Sequence, residues 1–207
     1  PDIYYLSEEW STSPVERLVL DKFGGKVEIH PQLENYSTSK LISSKNMSRG
    51  AIFLDRDGTI NKDTGYLNNI SDIEIPEKNI EGLKAISELD LYIFIVTNQS
   101  GIAKNKITMN EFNLINSKII EIINEGGGRI DKTYFDITDG KNPSYRRKPN
   151  TGMVLEATDE YDVALVNSWM IGDKDSDILL GKYCNMKTIY IKNTAYNYES
   201  KLKPDFE

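Results

Sequence analysis

Residues 51–59 read Ala51-Ile52-Phe53-Leu54-Asp55-Arg56-Asp57-Gly58-Thr59, four apolar residues running without a break into a polar turn. An apolar run of this length predicts a strand buried on both faces, as in a parallel sheet covered by helices. Its carboxyl end then carries two carboxylates two residues apart, on a turn loosened by Gly58. Working outward, a helix is expected over about Glu77 to Leu89 and a second buried strand over Leu91 to Thr97. Thr108-Met109-Asn110-Glu111 reads as a capping box opening an amphipathic helix, with Phe112, Ile115, Ile119 and Ile122 on one face and Gly126 to Gly128 as its stop. Beyond it come a strand at Thr133 to Ile137, a helix after Asn150, a strand at Trp169 to Gly172, a helix through Leu180 and a strand at Thr188 to Ile191. Strict alternation of this kind predicts an α/β fold, a Rossmann-like three-layer α/β/α arrangement around a mostly parallel sheet.

The 207 residues suffice for one full-sized domain and a small appendage. Polar, Ser-rich residues 43–49 mark the boundary, giving an N-terminal segment 1–48 and a main domain 49–207. The chain opens on Pro1 and is read as a piece of something longer. Twenty-five Lys and Arg against 32 Asp and Glu leave a net charge of −7, which opposes a broad nucleic-acid or anionic-membrane surface. The apolar run Leu91 to Val96 falls far short of the roughly 20 residues a membrane helix needs, so no membrane partner is expected. A single cysteine, Cys184, excludes an internal disulfide and makes the cytoplasm the default compartment.

In open parallel sheets ligands collect beyond the carboxyl ends of the strands, and each of those ends is polar here. Asp55 and Asp57 suit a hard cation such as Mg²⁺, which takes one or two carboxylates, a carbonyl and a substrate phosphate. A carboxylate can also attack phosphorus while a neighbour moves protons, although the same five residues would serve as a plain strand-end turn. Thr97-Asn98-Gln99-Ser100-Gly101 offers a hydroxyl and backbone N–H groups for phosphoryl oxygens, or else a polar loop. Arg146-Arg147-Lys148-Pro149 supplies cations for anionic oxygen, or a solvated surface. Gly172-Asp173-Lys174-Asp175-Ser176-Asp177 returns carboxylates to a strand end, where Asp also caps helices.

The order of these four segments resembles the four-motif pattern of the haloacid dehalogenase superfamily from about Ala51 to Ile191. Within it the chain is most similar to the branch of histidinol-phosphate and D,D-heptose 1,7-bisphosphate phosphatases. That resemblance rests on Phe53 to Asn61, Thr97 to Ala103, Arg147-Lys148-Pro149 with Gly152-Met153, and Gly172-Asp173-Lys174 with Asp177. It implies Asp55 as nucleophile, Asp57 as acid and base, and Thr97 and Lys148 as phosphate ligands. It further implies a Mg²⁺ held by Asp55, the Asp57 carbonyl and Asp173, with Asp177 orienting Lys148. Asn61, Asn98 and Arg147 are candidates for the substrate side. The implied activity is a Mg²⁺-dependent phosphomonoesterase working through an aspartyl-phosphate on a small sugar phosphate or bisphosphate. A non-catalytic phosphate-binding scaffold, a histidinol-phosphate phosphatase and a nucleic-acid 3′-phosphatase are the alternatives.

Forty residues separate Asp57 from Thr97 and 51 separate Thr97 from Lys148, and the elements above fill both intervals. Only a minimal cap is expected, with 61–70 and the loop before Arg146 shaping access. Many heptose-branch members carry a zinc loop of Cys-x-His and Cys-x-Cys before Arg-Lys-Pro. The corresponding positions here are Asp136, Thr138, Ser144 and Arg146, so no structural zinc is expected.

Residues 1–45 read as β-α-β, with strands at Pro1 to Leu6 and Lys26 to His30, a helix at Ser13 to Gly24, and a short helix capped near Ser37. They resemble the C-terminal part of cytidylyltransferase-like nucleotidyltransferases. That resemblance implies a nucleotidyltransferase portion upstream in a longer chain, and the quoted fragment lacks that family's His-x-Gly-His half.

Overall fold

The computed structural model describes residues 3–7, 26–30, 49–141, 144–192 and 202–207. The chain divides into two compact units, Pro1–Met47 and Ser48–Glu207. In the first, β1 (Ile3–Ser7) and β2 (Lys26–His30) pair in parallel, Ile3 opposite Lys26 and Ser7 opposite His30. The helices expected at 13–24 and after Ser37 lie outside the described residues.

The second unit alternates strands and helices. Its elements are β3 (Ala51–Leu54), α1 (Glu77–Ser87), β4 (Tyr92–Asn98), the short α2 (Ser100–Ala103), α3 (Met109–Glu125), β5 (Lys132–Asp136), α4 (Gly152–Tyr161), β6 (Trp169–Gly172), α5 (Asp175–Tyr183) and β7 (Lys187–Tyr190). The strands form one five-stranded sheet in the order β5-β4-β3-β6-β7, parallel throughout. The chain starts at the central strand, steps outward to β4 and β5, then returns to the other side of β3. The strand order therefore reverses beside β3, and the crevice above that reversal is where such sheets bind ligands.

Alternate residues of the central strands feed two separate cores. Phe53, Phe94 and Val96 meet Tyr134, Met153, Val154 and Met170 on one side, while Ile52, Leu54, Ile93 and Ile95 meet Ile115, Ile119 and Ile123 on the other. The α3 stripe therefore continues from Ile119 to Ile123, one full i+4 step, where the sequence pattern pointed to Ile122. Its expected capping box is present: Thr108 Oγ1 accepts from the Glu111 N–H at 3.2 Å, and Glu111 Oε2 from the Thr108 N–H at 2.6 Å. β5 runs Lys132–Asp136, one residue earlier than expected, leaving Ile137 exposed.

Phe94 is wholly buried, its ring 5.4 Å from that of Phe53, 5.8 Å from Tyr134 and 5.0 Å from Tyr161. Phe94→Ala is expected to cost about 3–5 kcal/mol in urea unfolding, since neighbours on a rigid sheet collapse poorly into the hole. A loss below about 1 kcal/mol would show instead that this layer repacks freely.

The outer edge of β7 is covered by residues 202–207. Phe206 bridges to Ile189, with the Tyr190 N–H donating to Phe206 O at 2.9 Å and the Phe206 N–H to Thr188 O at 3.0 Å. The Asp205 carboxylate accepts from the Thr188 N–H and Oγ1, both at 2.8 Å, and pairs with Lys182 at 2.7 Å.

Candidate active site

The four segments singled out in the sequence converge over the carboxyl ends of β3, β4 and β6. Asp55 follows β3 directly and is buried. Its Oδ1 lies 2.7 Å from Lys148 Nζ and accepts the Arg56 N–H at 2.8 Å. Lys148, reaching in from the segment before α4, also pairs with Asp177 Oδ1 at 2.8 Å and donates to Val96 O at 2.7 Å. The cation therefore sits between two carboxylates. Burial pushes the Asp55 carboxyl up to about 6 against the opposing pull of the Lys148 ammonium. For Lys148 burial acts the other way, yet the Asp177 and Asp55 charges outweigh it and hold the ammonium above its ordinary range.

Asp57 faces a different set of partners. Arg56 grips it in bidentate fashion, Nε to Oδ1 at 3.1 Å and Nη2 to Oδ2 at 2.8 Å. Asn61 Nδ2 adds a bond to Oδ1 at 3.0 Å and Gln99 Nε2 one to Oδ2 at 2.8 Å. Burial favours the neutral acid, but Arg56 and these amides overcome it and keep the carboxyl below the usual carboxylate range. Gln99 Nε2 also donates to Thr97 Oγ1 at 2.8 Å, joining the β3 and β4 loops.

Asp173 directly follows β6, and Asp177, three residues into α5, accepts the Lys174 N–H at 3.0 Å. Asp177 therefore serves both as a helix-start acceptor and as a partner of Lys148. Carboxylate oxygens of Asp55, Asp173 and Asp177 lie within 4.8 Å of one another, all buried. Gly58, with φ +93°, is what admits Asp173: a Cβ there would stand 2.1 Å from Asp173 Oδ2. An all-oxygen donor set of three buried carboxylates fits a divalent cation such as Mg²⁺. Asp57 directs its carboxylate elsewhere, to Arg56, Asn61 and Gln99.

A pocket of about 490 Å³ opens over this centre, lined by Asp55, Asp57, Thr97, Asn98, Arg147 and Lys148 among others. Of the substrate-side candidates, Asn98 both lines the pocket and braces Lys148, accepting its N–H at 3.0 Å and donating to its carbonyl at 3.1 Å. Arg147 lines the pocket too. Asn61 does not: it is buried one step back, on Asp57. Sequence reasoning assigned no role to Lys174, whose Nζ reaches Asp63 Oδ2 at 3.0 Å in the pocket wall. Burial opposes its charge, but the carboxylates of Asp55, Asp173 and Asp63 outweigh that and raise its affinity for protons. Nor did it assign one to Arg56 or Gln99; the signal available was a charged or amide residue embedded in a motif whose neighbours point to chemistry. Cys184 takes no part: it is buried away from these groups, and burial pushes its thiol up to about 12.

A family model for HAD-like hydrolases matches residues 145–206. The D-glycero-alpha-D-manno-heptose-1,7-bisphosphate 7-phosphatase of Photorhabdus laumondii is 35% identical over 151 residues, covering 70% of this chain and 82% of that protein. The chain belongs to the haloacid dehalogenase-like phosphatases. Another member of this family, the D-glycero-beta-D-manno-heptose-1,7-bisphosphate 7-phosphatase of Helicobacter pylori, is 36% identical over 138 residues, covering 66% of this chain and 79% of that protein. Among solved structures, a HAD-like protein from Mesorhizobium loti superposes with a TM-score of 0.66 at 29% identity, covering 77% of this chain and 78% of its own. The D,D-heptose 1,7-bisphosphate phosphatase of B. bronchiseptica, complexed with magnesium and phosphate, superposes at 0.64. It covers 68% of this chain and 79% of its own, and at 23% identity that likeness is one of fold. The α/β architecture expected from the alternating pattern is the one these phosphatases share.

Proposed function

We propose that this phosphatase removes one phosphate from a sugar bisphosphate of the heptose 1,7-bisphosphate kind, using Asp55 as nucleophile and Mg²⁺ as cofactor. The observation that carries the reading is the Lys148 ammonium held 2.7 Å from Asp55 Oδ1 at the floor of a pocket that also takes in Asp57, Thr97 and Arg147. The names of the sequence relatives support the substrate class.

An Asp55 oxygen attacks phosphorus, forming a P–O bond to the carboxylate while the P–O bond to the sugar breaks. Lys148, Thr97 and the backbone N–H groups after β4 meet the charge on the transferring phosphoryl oxygens. Asp57 gives its proton to the departing sugar oxygen. Its partners hold Asp57 ionised in the free enzyme, so it first takes up a proton from solvent as the doubly charged ester approaches and raises its proton affinity, and this is the proton it passes on. In the second half, Asp57 takes a proton from water, whose oxygen attacks phosphorus and releases Asp55 and inorganic phosphate. Asp55, Asp173 and the Asp57 carbonyl would hold the Mg²⁺, which neutralises phosphoryl charge when bound. Asp177 is left to orient Lys148.

Phosphate release from D-glycero-β-D-manno-heptose 1,7-bisphosphate is expected to stop in EDTA and to return when excess Mg²⁺ is restored. Tight binding of that sugar without turnover, metal present, would favour the scaffold reading and overturn this one. No helix among the described residues is long and apolar enough to cross a membrane. For residues 1–48 we infer a partial nucleotidyltransferase-like α/β segment; the parallel pairing of β1 with β2 supports its β-α-β reading.

A further inference from the structure

Asp136, the last residue of β5, is 4% exposed yet stands outside the group of side chains around Asp55. A buried carboxylate is costly unless its oxygens are well provided with donors. This one is. Oδ1 accepts from the Thr138 N–H at 2.9 Å and from Thr138 Oγ1 at 2.5 Å, and Oδ2 accepts from Ser144 Oγ at 2.5 Å. Burial works against its ionised form, but the Ser144 and Thr138 hydrogen bonds and the Arg147 charge prevail and hold it below the usual carboxylate range. Its own backbone carbonyl accepts the Gln99 N–H at 2.6 Å, which ties the end of β5 to the loop after β4.

Arg147 is suspended from the same groups. Its N–H donates to Ser144 Oγ at 3.3 Å and its Nη1 to Thr138 O at 2.6 Å, with Nη1 3.9 Å from Asp136 Oδ1. Gly140, at φ +83°, lets the backbone lie against it, for a Cβ there would stand 3.1 Å from Arg147 Nε. Every one of these bonds begins or ends on a residue that Asp136 holds directly. An unsupported arginine would lose much of its rotamer freedom whenever it engaged a ligand, and a scaffold that orders it beforehand removes that cost.

We infer that Asp136 is a positioning residue: through Thr138 and Ser144 it sets Arg147 in the pocket wall to receive the part of the substrate remote from the reacting phosphate. This rests on the phosphatase reading above and deepens it by naming what organises the specificity side of the pocket. A small ester such as p-nitrophenyl phosphate has no remote phosphate and draws little on Arg147, whereas a sugar bisphosphate draws on it fully.

The test compares Asp136→Ala and Asp136→Asn with wild type on both compounds. For the heptose bisphosphate, Asp136→Ala is expected to raise KM about tenfold, the loss of one well-placed charged contact, with kcat reduced by less than about threefold. For p-nitrophenyl phosphate, KM is expected to change less than about twofold. Asp136→Asn, which retains one acceptor oxygen, is expected to fall between, and Arg147→Ala combined with Asp136→Ala to be no worse than Arg147→Ala alone. Equal losses on both compounds would mark general damage to the fold and overturn the inference, as would an unchanged KM for the bisphosphate. Hydrogen exchange separates this from the substrate assignment. Asp136→Ala should speed exchange at the Thr138 and Arg147 amides while the β3 and β4 amides keep wild-type protection. If wild type ignored the heptose bisphosphate, the substrate class would fall, and unchanged exchange at those two amides would overturn the role of Asp136.

Discussion

Asp55→Asn will reduce turnover by about 10⁴-fold or more and leave the protein folded. The replacement keeps the shape of the side chain and an oxygen that can face Lys148 Nζ, which now stands 2.7 Å away. What it removes is the anionic oxygen that forms the bond to phosphorus, for which an amide is no substitute. The fold should tolerate the change because burial already disfavours this carboxylate, lifting its pKa to about 6, and a neutral amide avoids that penalty. Lys148 retains Asp177 at 2.8 Å as counter-charge. Phosphate release, thermal unfolding and intact-mass detection of a phosphorylated chain would be measured together. Turnover within tenfold of wild type, or a phosphorylated species still trapped in the variant, would assign the nucleophile elsewhere.

Lys148→Met is expected to have the second largest effect, and it should fall on stability as well as rate. Lys148 is 4% exposed, and its ammonium faces Asp55, Asp177 and Val96 O at once. Methionine fills similar space but leaves two neighbouring carboxylates and a carbonyl without their donor. Breaking a buried pair from one side costs about 3–5 kcal/mol, because the stranded charge stays behind. Turnover should drop about 10³-fold, the scale seen when a fixed donor to a transition-state oxygen is lost. Urea unfolding and steady-state kinetics read the two separately. A variant as stable as wild type would mean that the carboxylates are held apart by something other than this lysine.

The parts of this architecture legible in the sequence share one physical cause. Strands sandwiched between helices must be apolar on both faces, so Ala51–Leu54 and Tyr92–Thr97 announce themselves as uninterrupted runs, and the polar residues after them mark where ligands can reach the backbone. The segments that carry Asp55, Thr97, Lys148 and Asp173 stand out in this way, each at or near a strand end or before a helix, while the roles of those four residues are what the family resemblance implies. What stayed hidden depends on side-chain direction, which spacing does not encode. Arg56 looks like a surface residue between two acids, yet it turns inward over the Phe112 ring, 5.5 Å from its centroid, to clamp Asp57. Asn61 reads as a substrate contact because it ends the motif, but the tight turn at Gly58 folds it back beneath the pocket. Asp136 was noticed only as a position lacking a thiolate; that it gathers two hydroxyls and steadies an arginine follows from the path of the chain after β5, over several residues of loop. For the same reason Ile123 and not Ile122 completes the α3 stripe: the helix's contact surface drifts with its 3.6-residue period, and which neighbour it meets is settled by the sheet beneath.

The pairing of residues 202–207 along β7 has an effect at the scale of many molecules. A rim strand with bare amides and carbonyls is a template on which further chains can stack, whereas here the chain supplies its own selvedge and withdraws those groups from strangers. On that flank, crowding at high concentration finds a finished border, which guards against fibrillar growth.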